Sequence, residues 1–172
     1  MYRALHYIGL AVILILIQTF VFDNLAISVW FNPLIYVTLV VLLPLDARPI
    51  AVLLTGLAIG VVADYTTGGA GLNTSATLLV AFMRQPLLGY FCDSDDLRDG
   101  GVPSPQRMGG EWKFVRYAAV IVVVHHLALF LLESMSLGYI LHTLLRTLLS
   151  GAFTLLFVWI SMRLFTFKIS RV

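Results

Sequence analysis

The chain has 172 residues, of which 60% are hydrophobic and only 12% are charged, and its formal net charge is +2. Soluble domains are about 25% charged, so this composition predicts a polytopic all-α membrane protein. At roughly 20 residues per crossing, the length allows five or six spans and leaves no room for a separate soluble domain. The small net charge gives no indication of nucleic-acid binding, and a single cysteine, Cys92, excludes an internal disulfide.

The first predicted span covers residues 5–22 and follows Met1 and Arg3 in the manner of a signal peptide. Its apolar run is longer than a usual signal-peptide core, and no small-x-small cleavage motif follows it. We therefore predict a retained first helix. Gln18, near the end of this helix, is typical of an interhelical hydrogen-bond donor rather than of a ligand.

The second predicted span covers residues 27–45. Its apolar core, residues 34–43, is short for a full crossing. The aromatic residues Trp30 and Phe31 suit the membrane interface, so the stretch before the core is expected in the same span or along that interface.

A predicted helical hairpin organises the middle of the chain, with a third span at residues 49–63 and a fourth at residues 72–91. Gly56, Gly60 and Asp64 share one face of the first helix. Small residues at this spacing allow close helix approach, and a carboxylate at the edge of a bilayer is costly enough to need a reason. We predict helix packing or partner contact at this site, to which the turn adds Gly68, Gly71 and Asn73.

Two predicted intramembrane cations, Arg84 and Arg146, each need a polar environment. Arg84 either extends its side chain to the cytoplasmic surface or forms a buried pair with Asp64 or another polar group. Arg146 pairs with Glu133 or with Asp64.

The second half of the chain contains a polar loop at residues 93–113, a fifth span at residues 114–132 and a sixth at residues 139–165. The composition of the loop predicts a flexible cytoplasmic segment. The three connections on the opposite side contain no lysine or arginine, which predicts an inside location for both termini. The basic residues assigned to the inner side are Arg3, Arg48, Arg98, Arg107, Lys113, Arg116, Arg163, Lys168 and Arg171.

No catalytic, cofactor or metal site is expected from these residues. His125 and His126 are adjacent and point about 100° apart on a helix, so they cannot share one metal ion. His142 has no partner at a zinc-binding spacing, and no serine-protease glycine frame or aspartate pair is present.

The order and spacing of several short motifs over roughly residues 8–90 resemble the MreD family of rod shape-determining membrane proteins. The loop at residues 93–113 departs from that family. The motifs that carry the resemblance are Gln18…Phe22-Asp23…Pro33…Leu43-Pro44-Leu45, Gly56-x3-Gly60-x3-Asp64, Gly71-Leu-Asn-Thr-Ser-Ala76 and Phe82-Met-Arg84-Gln-Pro86.

This resemblance implies a non-enzymatic scaffold of the bacterial cell-elongation complex, located in the inner membrane. It also implies a bitopic MreC-like partner and links to MreB filaments, a RodA-like glycosyltransferase and a penicillin-binding transpeptidase. The implied fold has six helices and is similar to the substrate-binding subunits of energy-coupling-factor vitamin transporters.

Two other classes of function compete with the scaffold. A vitamin-binding transport subunit usually has a small-xxx-small alanine pair in its first span, which residues 5–22 lack; Ala47 and Ala51 have the spacing but open the third span. An intramembrane enzyme is disfavoured by the missing catalytic residues.

Overall fold

A computed structural model describes residues 2–24, 30–135 and 137–169. Within these ranges the chain is all-helical and contains no β-strand. The elements are α1 (Tyr2–Ile17) with a π-helical turn (Gln18–Phe22), α2 (Val37–Leu42), α3 (Pro49–Thr67), α4 (Leu72–Phe91), α5 (Ser94–Asp99), α6 (Glu111–Ser134), a 3-10 turn (Leu137–Tyr139) and α7 (Ile140–Ile169). The start of the predicted second span and Arg171 lie outside the described residues, as do the side chains of Arg3 and Lys168.

Four of the helices in the described part of the chain are long and apolar enough to cross a membrane: Leu5–Phe22, Pro49–Thr67, Glu111–Ser134 and Ile140–Thr166. These correspond to the first, third, fifth and sixth predicted spans. The 20-residue helix α4 is not among them; it carries Asn73, Thr74 and Ser75 in its first turn and Arg84 and Gln85 past its middle. The finding is compatible with a membrane protein.

The predicted second span forms a buried central segment instead of a long helix. All residues from 33 to 43 are buried, yet only the six residues of α2 are helical. Helices α1, α3, α4, α6 and α7 all contact α2. Pro44 explains where α2 ends, because the residue before a proline is disfavoured in the helical region, and Leu43 is extended with φ −52° and ψ 148°.

Helices α3 and α4 form the predicted hairpin, and its turn depends on two glycines in the left-handed region. Gly68 has a φ of 69° and ends α3, and Gly71 has a φ of 87° and precedes α4. Side chains larger than hydrogen are disfavoured at such angles. Helix α3 continues to Thr67, four residues past the predicted end of the span, which brings Asp64 into its last turn.

The polar segment at residues 93–113 differs from the flexible loop that its composition predicts. It contains α5, and the first three residues of α6 extend into it. The backbone N–H of Leu45 donates to the carbonyl of Gly101 over 2.8 Å. Val102, Ser104 and Met108 are buried. The hydrogen bond to Leu45 and the burial of a few side chains therefore attach the segment at residues 93–113 to the turn that follows α2.

Candidate functional site

The carboxylate of Asp64 caps the helix that follows it in the hairpin. Its Oδ1 accepts the backbone N–H and the side-chain amide of Asn73, both over 3.0 Å. Its Oδ2 accepts the backbone N–H of Thr74 over 2.9 Å and the hydroxyl of the same residue over 2.5 Å. The first N–H groups of a helix have no partner within it, so Asp64 supplies the acceptor that a local N-cap would otherwise provide.

Gly56 and Gly60 lie at the contact between the two helices of the hairpin. A Cβ atom at Gly60 would lie 2.5 Å from Cα of Thr74, and one at Gly56 would lie 2.8 Å from Cβ of Ala81. The predicted small-residue face of α3 therefore packs against α4 of the same chain. Gly56, Gly60, Asp64 and Asn73 come together at this contact, with Gly68 and Gly71 in the adjacent turn.

A buried hydrogen-bond network connects the hairpin to the centre of the fold. The hydroxyl of Tyr36 donates to Oδ1 of Asn73 over 2.9 Å and lies 3.3 Å from Nε2 of His125. Thr77 donates to the carbonyl of Asn73 over 2.6 Å, and its Oγ1 lies 3.2 Å from the same His125 nitrogen. Both hydroxyl protons are used elsewhere, so Nε2 of His125 is the donor of this network.

Side chains from two other helices satisfy the N–H groups at the start of the central segment. Oγ of Ser150 accepts the N–H of Asn32 over 2.9 Å, and Oγ1 of Thr154 accepts that of Leu34 over 3.2 Å. Oε1 of Gln18 accepts the N–H of Ile35 over 2.8 Å. Gln18 was predicted to donate to another helix; its Nε2 instead donates to the carbonyl of Pro33 over 3.3 Å, in the non-helical part of the central segment.

Arg84 and Tyr117 satisfy carbonyl groups at the other end of the segment. The Tyr117 hydroxyl donates to the carbonyl of Val41 over 3.1 Å. Nη2 of Arg84 donates to the carbonyl of Leu43, and to that of Pro44 over 3.2 Å. Arg84 is fully buried, so it does not extend to the surface; of the predicted alternatives, it bonds another polar group, these backbone carbonyls, and not Asp64. A cation suits this place because the carbonyl end of a helix carries partial negative charge.

The hairpin contact and the side chains that bond residues 32–44 form one central site. Arg146 lies apart from this central site and pairs with Glu133, one of its two predicted partners. Nη1 of Arg146 lies 2.8 Å from Oε2 of Glu133. The guanidinium carbon also lies 4.1 Å from the ring centre of Phe130, within cation–π range.

Sequence reasoning missed the hydrogen bonds that Ser150, Thr154 and Tyr117 make to backbone groups of the central segment, and the bond of Tyr36 to Asn73. Single hydroxyls in apolar helices are common, and only their proximity to the central segment distinguishes these four. The available signal was the four-three spacing of Thr143, Thr147, Ser150 and Thr154, which places buried hydroxyls on one face of α7.

The central site consists of side chains that hold backbone groups in place. Non-helical backbone inside a membrane protein requires such partners, since lipid supplies none. Within the ranges that the structure describes, no three His, Cys, Asp or Glu side chains are grouped to hold a metal ion.

Comparisons with protein-family models, curated proteins and solved structures found no match. The resemblance to the MreD family therefore depends on the quoted motifs alone.

Proposed function

We propose that this chain is a non-enzymatic scaffold of the bacterial cell-elongation complex, as its resemblance to the MreD family implies. The observation that carries the proposal is that the residues of the quoted motifs hold the fold together. Asp64 and Asn73 join the two helices of the hairpin, and Arg84 holds the end of the central segment. Because these residues bond to other parts of the same chain, they favour a rigid protein that presents a surface to partner helices over one with a reaction centre.

The proposed topology has six crossings of the inner membrane, with both termini in the cytoplasm. The second crossing would combine the non-helical residues before α2 with α2 itself. Aromatic contacts support this path, because the ring of Trp30 contacts that of His142 near the start of α7 and Phe31 packs on Phe153 near the middle of it. The chain then reaches the turn at residues 44–48, beside α5 and the start of α6.

A bitopic MreC-like protein is the proposed direct partner, with the RodA-like glycosyltransferase, the transpeptidase and MreB filaments in the same complex. The apolar side chains along α1 offer a surface for it. Leu5, Ile8, Val12 and Ile13 are all more than half exposed on this helix. In a membrane such a face contacts either lipid or another helix.

A vitamin-binding transport subunit with the related six-helix fold remains the alternative. It would need open space next to specific polar groups. At the hairpin, Asp64, Asn73 and Tyr36 are bonded to one another or to backbone, so these polar groups are not free to bind a vitamin, which favours the scaffold.

Affinity capture tests the proposal. The tagged protein is expressed at native level in the bacterium that encodes it, extracted in a mild detergent and analysed by quantitative mass spectrometry. Enrichment of the MreC-like protein and of wall-synthesis enzymes is expected, and depletion of the chain should convert rod-shaped cells to round ones.

A second membrane protein of similar size and abundance, carrying the same tag, is the control for capture. Normal cell shape after depletion, with no wall-synthesis protein enriched over this control, would overturn the proposal. Tight binding of a vitamin to the purified protein would establish the alternative.

A further inference from the structure

A polar cavity of about 450 Å³ lies between the end of α6 and the beginning of α7, away from the central site. Its lining includes Phe130, Glu133, Tyr139, His142, Thr143 and Arg146. Of these residues, Arg146 pairs with Glu133 and packs on Phe130, and the ring of His142 contacts that of Trp30. The cavity is large enough for the polar head of a small amphiphile.

The charges in this cavity are one cation and one anion side by side. Arg146 and Glu133 form an ion pair of 2.8 Å, and their side chains are 15% and 48% exposed. Nε of Arg146 is buried and has no hydrogen-bond partner. That N–H is closed off from the cavity, so the part of Arg146 that a ligand can meet is the terminal guanidinium.

The pair selects against ligands that carry only one sign of charge. A simple anion near Arg146 is repelled by Glu133, and a simple cation near Glu133 is repelled by Arg146. A group with a phosphate and an ammonium satisfies both, since a phosphate oxygen can accept from the terminal N–H groups of the Arg146 guanidinium and an N–H of the ammonium can donate to the carboxylate. A quaternary ammonium lacks that N–H and cannot make the second bond.

We propose that this cavity binds the head group of a zwitterionic phospholipid that carries a primary ammonium, of the phosphoethanolamine type. The surroundings favour a lipid over a soluble molecule. Leu141 is 69% exposed and Met135 is 90% exposed beside the cavity. Tyr139, at the rim, has the amphipathic character of residues at a membrane interface. The proposal rests on membrane placement and is independent of the elongation complex.

Native mass spectrometry of the delipidated full-length protein tests the site. Three lipids with identical acyl chains are titrated: phosphatidylethanolamine, phosphatidylcholine and phosphatidylglycerol. The first molecule of phosphatidylethanolamine should bind about tenfold more tightly than either of the others, as expected for one charge-assisted hydrogen bond. Incorporation of the protein into lipid nanodiscs tests membrane placement separately.

Two substitutions give opposite signatures that a merely structural role would not produce. Glu133→Gln removes the repulsion of anions, so it should raise affinity for phosphatidylglycerol and abolish the preference. Arg146→Gln should weaken all three lipids. The matched control is Arg163→Gln, which disrupts an Arg163–Glu111 pair beside Trp159 at the other end of α7, where Arg163 is 47% exposed.

Thermal unfolding of each variant shows that it is folded before lipids are added. Equal affinity for the three lipids in the wild type would overturn the proposal, and so would loss of preference in Arg163→Gln. Binding of soluble glycerophosphoethanolamine as tightly as the whole lipid would overturn the assignment to a membrane lipid.

Discussion

Asp64 binds Asn73 twice through a single carboxylate oxygen, once at the backbone and once at the side chain. The two residues are nine positions apart and belong to different helices. Oδ2 of the same carboxylate holds the next residue, Thr74. One acidic side chain therefore caps α4 and fixes its distance from α3.

Replacing Asp64 with asparagine should destabilise the hairpin. The amide keeps one acceptor oxygen but places an NH2 group against a donor, so at least one buried N–H loses its partner. We expect a loss of about 1–3 kcal/mol in the free energy of unfolding. Thermal unfolding in detergent measures the effect, with Asp99→Asn on the exposed end of α5 as the control. Equal stability of the two variants would contradict the capping role.

Gly60→Ala tests the close approach of α3 and α4. The new methyl group would meet the backbone of Thr74, which cannot move without separating the helices. Overpacking of this kind costs about 1–3 kcal/mol in the free energy of unfolding. Gly89→Ala is the matched control, because a Cβ atom at Gly89 has no neighbour within 4 Å.

Alanine forms helix better than glycine by roughly 1 kcal/mol, so the control should be neutral or stabilised. Both variants are followed by thermal unfolding and by yield after extraction. A melting temperature for Gly60→Ala at or above that of the wild type would show that the two helices are not in tight contact.

The hairpin was predictable from sequence because its determinants are local. Gly56, Gly60 and Asp64 follow at intervals of four residues, and the helical period places them on one face. Gly71 and Asn73 come directly before and within the first turn of α4. The partner of that face was not predictable, and the structure places it in the same chain.

The buried central segment was not predictable, because an apolar run looks the same whether lipid or protein surrounds it. Residues 34–43 contain no charge, and the only indication that they do not form a full spanning helix was their short length. The same limit applies to Arg84, for which the surface and the interior were both open interpretations. Its burial depends on the carbonyls of Leu43 and Pro44, which follow α2 and lie about 40 positions earlier in the sequence.

Removing the charge and the donors of Arg84 should destabilise the end of the central segment. In Arg84→Met the carbonyls of Leu43 and Pro44 lose their donor in the protein interior, and methionine offers none in its place. We expect a loss of about 1–3 kcal/mol in the free energy of unfolding. Arg84→Lys keeps a charged donor but loses the planar fork, so it should fall between methionine and the wild type.

Arg116→Met, at an exposed position of α6, is the control for loss of one cation near the same end of the helices. Thermal unfolding should rank the Arg84 variants in the order arginine, lysine, methionine. If Arg84→Met were as stable as Arg116→Met, another group would have to satisfy the two carbonyls.

A pair of substitutions in α7 separates the capping of the central segment from simple burial of a hydroxyl. Thr147 and Thr154 are each 2% exposed or less. Oγ1 of Thr154 accepts the N–H of Leu34 and lies 3.2 Å from Nε2 of His126. Nδ1 of that ring donates to the carbonyl of Val122, so Nε2 of the neutral ring accepts the threonine proton.

Thr154→Val keeps the shape of the side chain but leaves the N–H of Leu34 without an acceptor, so a loss of about 1–3 kcal/mol in the free energy of unfolding is expected. Thr147→Val should have the opposite effect, because Oγ1 of Thr147 is buried with no hydrogen-bond partner. Replacing an unsatisfied hydroxyl by a methyl group removes a polar burial cost, and stabilisation by up to about 1 kcal/mol follows. Thermal unfolding of the two variants side by side measures the difference. Equal melting temperatures would mean that the hydroxyl of Thr154 does not hold the segment.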